Sequence, residues 1–428
     1  MVEEQTPFAR ECASRGWDRP AAFLRAFDAT AGLVGEQVAV TDRQFRRWRL
    51  PDPPLPRPRA WRVLHAMFGM SPLDLGFPGP EPGATVEASP EYVEGVSVDR
   101  RAFVADTFGA AAGLALGSAE AVGTTHIMEL REGLRSLYTL DDAYGGGDVR
   151  SLAVRHLRRV RRVINTGSYP DTIGRQLQLL AGETAEHCAW LYYDADEQDT
   201  ARRYWGEALT TATMLRDEGL EVLVLAALSM QASFEGRPRD GYDLARAAHQ
   251  RAMSLGSPTL LSLIASREAR ALTLMKDQGS ARKRLADSMR MVERTDRGRP
   301  APEWAAFHGH AELDYAHGLL YTETGHSKAA VPFLRAALAH QHRTYGRNRA
   351  LYRLTLARGL VQAGEVDEGA AEAVGSLEHL EEVESGRVMR KLTEVHRLLA
   401  AVDATSARAA AGELTEYTQQ KGSGGWPR

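Results

Sequence analysis

Residues Gly318–Leu338 read G-L-L-Y-T-E-T-G-H-S-K-A-A-V-P-F-L-R-A-A-L. Two apolar-periodic runs flank Thr324-Gly325-His326, and small residues stand at Gly318, Ala330 and Ala337. The pattern recurs. Aligned on Ala330, the second run of each pair carries Ala201, Gly241, Ala281 or Gly369, at spacings of 40, 40, 49 and 39. Seven residues after each anchor stands Ala208, Ala248, Ser288, Ala337 or Ser376; twelve before stands Ala189, Ser229, Ala269, Gly318 or Ala357. The turn holds glycine at Gly236, Gly325 and Gly364. Small residues at three fixed offsets let two antiparallel helices approach and let the next pair stack on them. Such a period predicts an α-solenoid. The alternative is an unrelated helical bundle with an alanine bias. The run Ala357–Ala370, A-R-G-L-V-Q-A-G-E-V-D-E-G-A, repeats the pattern, and residues 382–420 are expected to cap the stack. No convincing strand is predicted after about residue 121.

The chain has 428 residues, enough for two or three domains. Hydrophobic residues are 43% and charged residues 25%, an ordinary soluble composition. The net charge of −3 is uneven. Residues 1–78 hold eleven Lys+Arg against nine Asp+Glu (+2); the remainder holds 42 against 47 (−5). Any nucleic-acid affinity is therefore local to the N-terminal part. Cys12 and Cys188 stand alone, with no metal-ligand spacing. They predict buried thiols in a reducing compartment. Charges at Glu3, Glu4, Arg10 and Glu11 interrupt any N-terminal apolar run, so a cytoplasmic protein without membrane contact is expected. The Asp99–Val104 segment and the apolar run Thr107–Ala119 look like an export signal. The run is too short to span a bilayer and reads instead as a small-residue helix.

The basic residues concentrate at Thr41–Arg62, where seven Arg meet two Asp. Two short helices are expected over residues 7–17 and 20–34. The segment T-D-R-Q-F-R-R-W-R-L, Thr41–Leu50, follows. Thr41 is a helix N-cap candidate and is counted with the residues after it as an expected DNA contact. Phe45 and Trp48 share one face. Arg43 and Gln44 near the start would reach base edges, and Arg46, Arg47 and Arg49 would sit on phosphates. The alternative is a solvated amphipathic helix at a bundle's edge. A proline strap, Pro51–Pro58, precedes a further helix from about Arg59 to Phe68. Residues 79–121 form a linker with a small-residue helix, residues 122–420 the repeats, and residues 421–428 a disordered tail.

Together the segments resemble actinobacterial regulators with an N-terminal lambda-repressor-type (XRE) helix-turn-helix and a C-terminal tetratricopeptide repeat domain. Phe45-Arg46-Arg47-Trp48 matches the end of that group's recognition helix. Gly69–Phe77, G-M-S-P-L-D-L-G-F, matches its closing motif. Leu140–Gly147, L-D-D-A-Y-G-G-G, matches its junction motif. The resemblance implies an all-α protein: a small helix-turn-helix bundle over residues 1–78, followed by a tetratricopeptide-like α-solenoid. It implies a DNA-binding transcription regulator, expected as a homodimer. The sequence departs from the pattern at Arg49-Leu50-Pro51 and in the long segment Gly32–Val40, where a tight turn is usual.

No phosphate-binding loop, dinucleotide fingerprint or nucleophile elbow appears, so no catalytic residue, metal or cofactor is expected. His308, His310, His317, His340 and His342 read as surface or repeat-core histidines. In such solenoids the first helix of each pair lines a concave groove. That places Glu183, Glu186, Trp190, Tyr193, Arg270, Glu312, Tyr315, Tyr352 and Arg358 towards a peptide, small-molecule or protein ligand. Trp190 and Tyr193 could instead pack between helices. The second functional reading is a tetratricopeptide adaptor or scaffold whose N-terminal domain makes protein contacts.

Overall fold

The computed structural model describes residues 6–77, apart from 37, 52, 55, 57 and 71–73. It also describes 121–423, apart from 145, 295–298, 306, 342–344, 381–382 and 384. The expected linker and small-residue helix at 79–121, and the tail after 423, lie outside these residues but for Ala121. Residues 421–423, expected in the tail, end a helix instead. The described part is all-α, with one isolated bridge between Ala121 and Ser168. Two compact units separate, one within Met1–Phe108 and Glu413–Arg428, the other within Gly109–Gly412.

In the first unit α1 (Pro7–Ser14), α2 (Pro20–Leu33), α3 (Asp42–Trp48) and α4 (Pro58–Phe68) surround an aromatic core. Phe8, Phe23, Phe27, Phe45 and Trp48 have no exposed surface. Phe23 stacks on Phe45 with centroids 4.4 Å apart, and Phe8 meets Trp48 edge-on at 6.0 Å. Such pairs add to the apolar area they bury. Gly76 closes the unit with φ +79°, where a Cβ would stand 2.9 Å from Pro7. A side chain there would be strained twice over, by the backbone and by the contact.

The second unit is a helical-repeat solenoid. It starts with α5 (Thr124–Tyr144) and α6 (Gly146–Thr166). Five pairs follow: α7 (Asp171–Asp194) with α8 (Gln198–Leu215), α9 (Glu218–Phe234) with α10 (Pro238–Leu255), α11 (Pro258–Leu274) with α12 (Gln278–Val292), α13 (His310–Glu323) with α14 (Ser327–His340), and α15 (Gly346–Ala363) with α16 (Val366–Leu380). The last helices are α17 (Gly386–Ala400) and α18 (Thr405–Ser423), the latter ending in the first unit.

Each small anchor sits where two helices of a pair meet. Ala201, Ala281 and Ala330 are fully buried, as are Ala208, Ala248, Ser288, Ala337 and Ser376. A Cβ on Gly318 would stand 2.4 Å from Leu334 Cγ, so this crossing needs glycine. Ser229 Oγ donates to Gly241 O across the second pair at 2.6 Å. The turn within every pair carries one left-handed residue, at Asp196, Gly236, Lys276, Gly325 and Gly364.

The solenoid turns far enough for its end to meet its beginning. Helix α15 packs on α5, and α17 on α7. Gly386 lies so close to α7's end that a Cβ would stand 2.5 Å from Ala195 O.

Candidate functional site

The inner face of the repeat unit gathers most of the candidate ligand-binding residues. Eleven residues before each anchor stand Trp190, Met230, Arg270, Leu319 and Arg358, and all five stay partly exposed. They share a stripe with the residues fourteen and eighteen before the anchor, since i, i+4 and i+7 lie on one helix face. That stripe contains Glu183 and Glu312 as well.

These side chains hold one another. Arg131 pairs with Glu183 at 3.3 Å, and Arg358 with Glu394 at 2.7 Å. Arg270 pairs closely with Glu323. Trp190 Nε1 donates to Asp141 at 2.8 Å, and the guanidinium groups of Arg347 and Arg387 lie over its ring at 5.2 and 5.4 Å. Tyr315 stacks on Tyr352, centroids 4.3 Å apart, and its hydroxyl is 3.3 Å from Thr355 Oγ1. Glu312 Oε1 accepts from the Tyr352 hydroxyl and from Asn348 Nδ2.

Three expected groove residues are packed between helices instead. Glu186 is buried, with Oε1 3.4 Å from Trp205 Nε1. Tyr193 is buried against Trp205 and Phe234. Tyr352 is buried beneath Tyr315. Each sits off the inward stripe. Burial raises the Glu186 carboxyl to about 7, although the Trp205 hydrogen bond opposes the shift.

Of the residues that close the solenoid, only Asp141 falls in a motif quoted above, L-D-D-A-Y-G-G-G. Arg347 donates to both oxygens of Asp141, at 2.6 and 3.3 Å, and lies 3.5 Å from Asp194 Oδ2. Asp194 Oδ1 accepts from Ser385 Oγ at 2.9 Å and from Arg387 at 3.2 Å. Burial alone would raise the Asp141 carboxyl; Arg347 outweighs it and holds the group below its usual range. Arg267, three residues before Arg270, also faces inward and makes no hydrogen bond or ion pair among the described residues. Sequence reasoning passed over Arg267, Arg347 and Arg387. Only the position of Arg267, fourteen before Ala281 on the same stripe, gave a signal.

In the first unit, Thr41 caps α3 by accepting from Gln44 N at 3.0 Å. Phe45 and Trp48 point into the core. Gln44, expected at base edges, is 5% exposed, because it stands four residues before Trp48 on the inner face. Arg49, expected on phosphate, crosses the Phe45 ring at 5.5 Å and donates to Asp18 O at 2.8 Å. The cations left on the outer side are Arg46, paired with Asp42 and 71% exposed, and the part-exposed Arg43 and Arg47. Arg43 Nη1 lies 3.9 Å from Glu413.

Cys12 and Cys188 are buried free thiols. His308 is buried, with Nε2 2.9 Å from Ser262 Oγ, and His340 pairs with Asp314 at 2.8 Å. Among the described residues no cluster of three His, Cys, Asp or Glu could hold a metal. No described helix is long and apolar enough to cross a membrane. No protein-family model matches the chain, and no curated protein matches it.

Proposed function

We propose that the chain is a DNA-binding transcription regulator whose helical-repeat unit senses a small molecule or peptide. The observation that carries the reading is the split surface of α3. Phe45 and Trp48 anchor it in the aromatic core, while Arg43, Arg46 and Arg47 occupy the outer side. Guanidinium groups presented by a core-anchored helix suit the phosphate backbone. With Gln44 turned inward, sequence discrimination falls to Arg43 and to DNA shape. The regulator works in the cytoplasm, where its DNA is, and pairs as a homodimer on two half-sites. No catalytic group or cofactor enters this reading.

The second reading is an adaptor whose first unit binds protein. It draws on the inward turn of Gln44 and Arg49, which removes two of the six expected DNA contacts. A gel shift against the DNA upstream of the chain's own coding sequence, run as a salt series, separates the two. The regulator reading expects Arg46→Ala with Arg47→Ala to weaken binding to all sequences alike and to lower the salt slope by roughly one to two. A parent protein that shifts no DNA at low salt leaves the adaptor.

A further inference from the structure

We propose that the inner face of the repeat unit binds a monoanionic carboxylate ligand through the guanidinium of Arg267. The inference rests on the sensor half of the reading above and names its ligand class.

Besides Arg131, Arg270 and Arg358, each paired with a glutamate, the inner face carries three further arginines with different partners. Arg347 holds Asp141 and approaches Asp194. Arg387 holds Asp194 and lies over Trp190 and Tyr193. Arg267 holds nothing. Its Nε is buried without a hydrogen-bond partner, although the side chain as a whole remains partly exposed. Its exposed surface is therefore on the rest of the side chain, and none of its nitrogens has a partner among the described residues.

The carboxylate that acts on it most strongly does not satisfy it. Glu312, on the next first helix, attracts Arg267 through space but directs its Oε1 to Tyr352 and Asn348. Burial lowers the Arg267 guanidinium below its usual range, with Glu312 opposing. A buried, unpaired guanidinium is expensive to keep in a fold. Its planar fork of donors matches a carboxylate in two parallel hydrogen bonds.

The charge balance selects one negative charge. Arg267, Arg347 and Arg387 stand against Asp141, Asp194 and Glu312. A single added anion is accommodated by protonation of Glu312, whose carboxyl burial holds above its usual range despite the Tyr352 hydrogen bond. A dianion is not. Benzoate is the probe, benzamide its neutral isostere and phenyl phosphate its dianionic counterpart.

Thermal unfolding of the full chain, followed by tryptophan fluorescence without DNA, tests the proposal independently of any gel shift. Benzoate is expected to raise the midpoint of the repeat unit; benzamide and phenyl phosphate are not. Arg267→Met should weaken the benzoate response at least ~10-fold, while Arg335→Met, whose exposed cation is paired with Glu368 away from the inner face, should keep it. Without ligand, Arg267→Met should melt a few degrees higher than the parent. Arg347→Met should melt lower. The proposal fails if benzoate leaves the parent unchanged up to its solubility limit, or if benzamide matches benzoate. It fails equally if Arg267→Met keeps the parent's response, or melts as low as Arg347→Met.

Discussion

Glu186 sits on α7 with its carboxylate against the Trp205 indole and no ion pair among the described residues. Its folded pKa, about 7, lies above the ordinary 4.5. An acid whose folded pKa is raised adds nothing to the loss below the unfolded value. It destabilises progressively as the pH rises from 4.5 through 7. The shift corresponds to about 3 kcal/mol when complete. Glu186→Gln should therefore stabilise the repeat unit by up to that amount at pH 8 and hardly at all at pH 4. Denaturant melts at the two pH values check this; an equal effect at both would mean that the carboxyl is not held protonated. The buried histidines act in the opposite direction. His156 and His187 fall to about 4, so they withhold stability as the pH drops below 6.5. None of this was legible in the sequence. Glu186 reads there as one more charged groove residue, because an offset of a single position on a helix decides between lumen and core.

At the scale of the element, the repeat pattern was legible because it rests on local contacts of fixed spacing. Ala201, Ala281 and Ala330 are buried as their offsets require. The turns were half legible. Glycine marks three of them, yet Asp196 and Lys276 adopt the same left-handed backbone, at φ 70° and 66°. A non-glycine residue there costs about 1–2 kcal/mol, partly offset by glycine's greater freedom in the unfolded chain. Lys276→Gly should thus raise stability by up to ~1 kcal/mol; a loss on urea unfolding would show that Lys276 makes a contact worth more than the strain. Helix α3 shows the limit of a short element. In seven residues the aromatic face was evident, but Gln44 and Arg49 flank that face and turn inward with it. Trp48 meets Phe8, Phe23 and Phe77 edge-on. Trp48→Ala should cost the first unit roughly 3–5 kcal/mol while the repeat unit keeps its own transition. One unchanged melting profile would place Trp48 outside the stabilising core.

At the scale of the molecule, an open solenoid would let each pair contact only its neighbours and fray from its ends. Here the repeat unit is closed by pairs nearly 200 residues apart in sequence or more: Arg347 with Asp141, and Arg387 with Asp194. Periodicity foretold the repeats and not the closure, since the four residues obey no spacing and become partners only after the stack has turned. Arg347 ties the end of the stack to its start through two hydrogen bonds to the buried Asp141. Arg347→Met would leave that carboxylate buried and uncompensated, a change that typically costs 3–5 kcal/mol, or about that here. The Asp141 carboxyl lies below its ordinary 3.8 in the fold. Its contribution is therefore present above that value and vanishes as the pH falls through the lower, folded one. The deficit of the variant should accordingly be full at pH 7 and shrink only below pH 3.8. Closure also predicts where the loss is felt. Hydrogen exchange in Arg347→Met should accelerate together in α5 and α7 at one end and in α15 and α17 at the other, while α9–α12 retain their protection. Acceleration confined to α15 would mean that Arg347 stabilises only its own helix and that the two ends stay together without it.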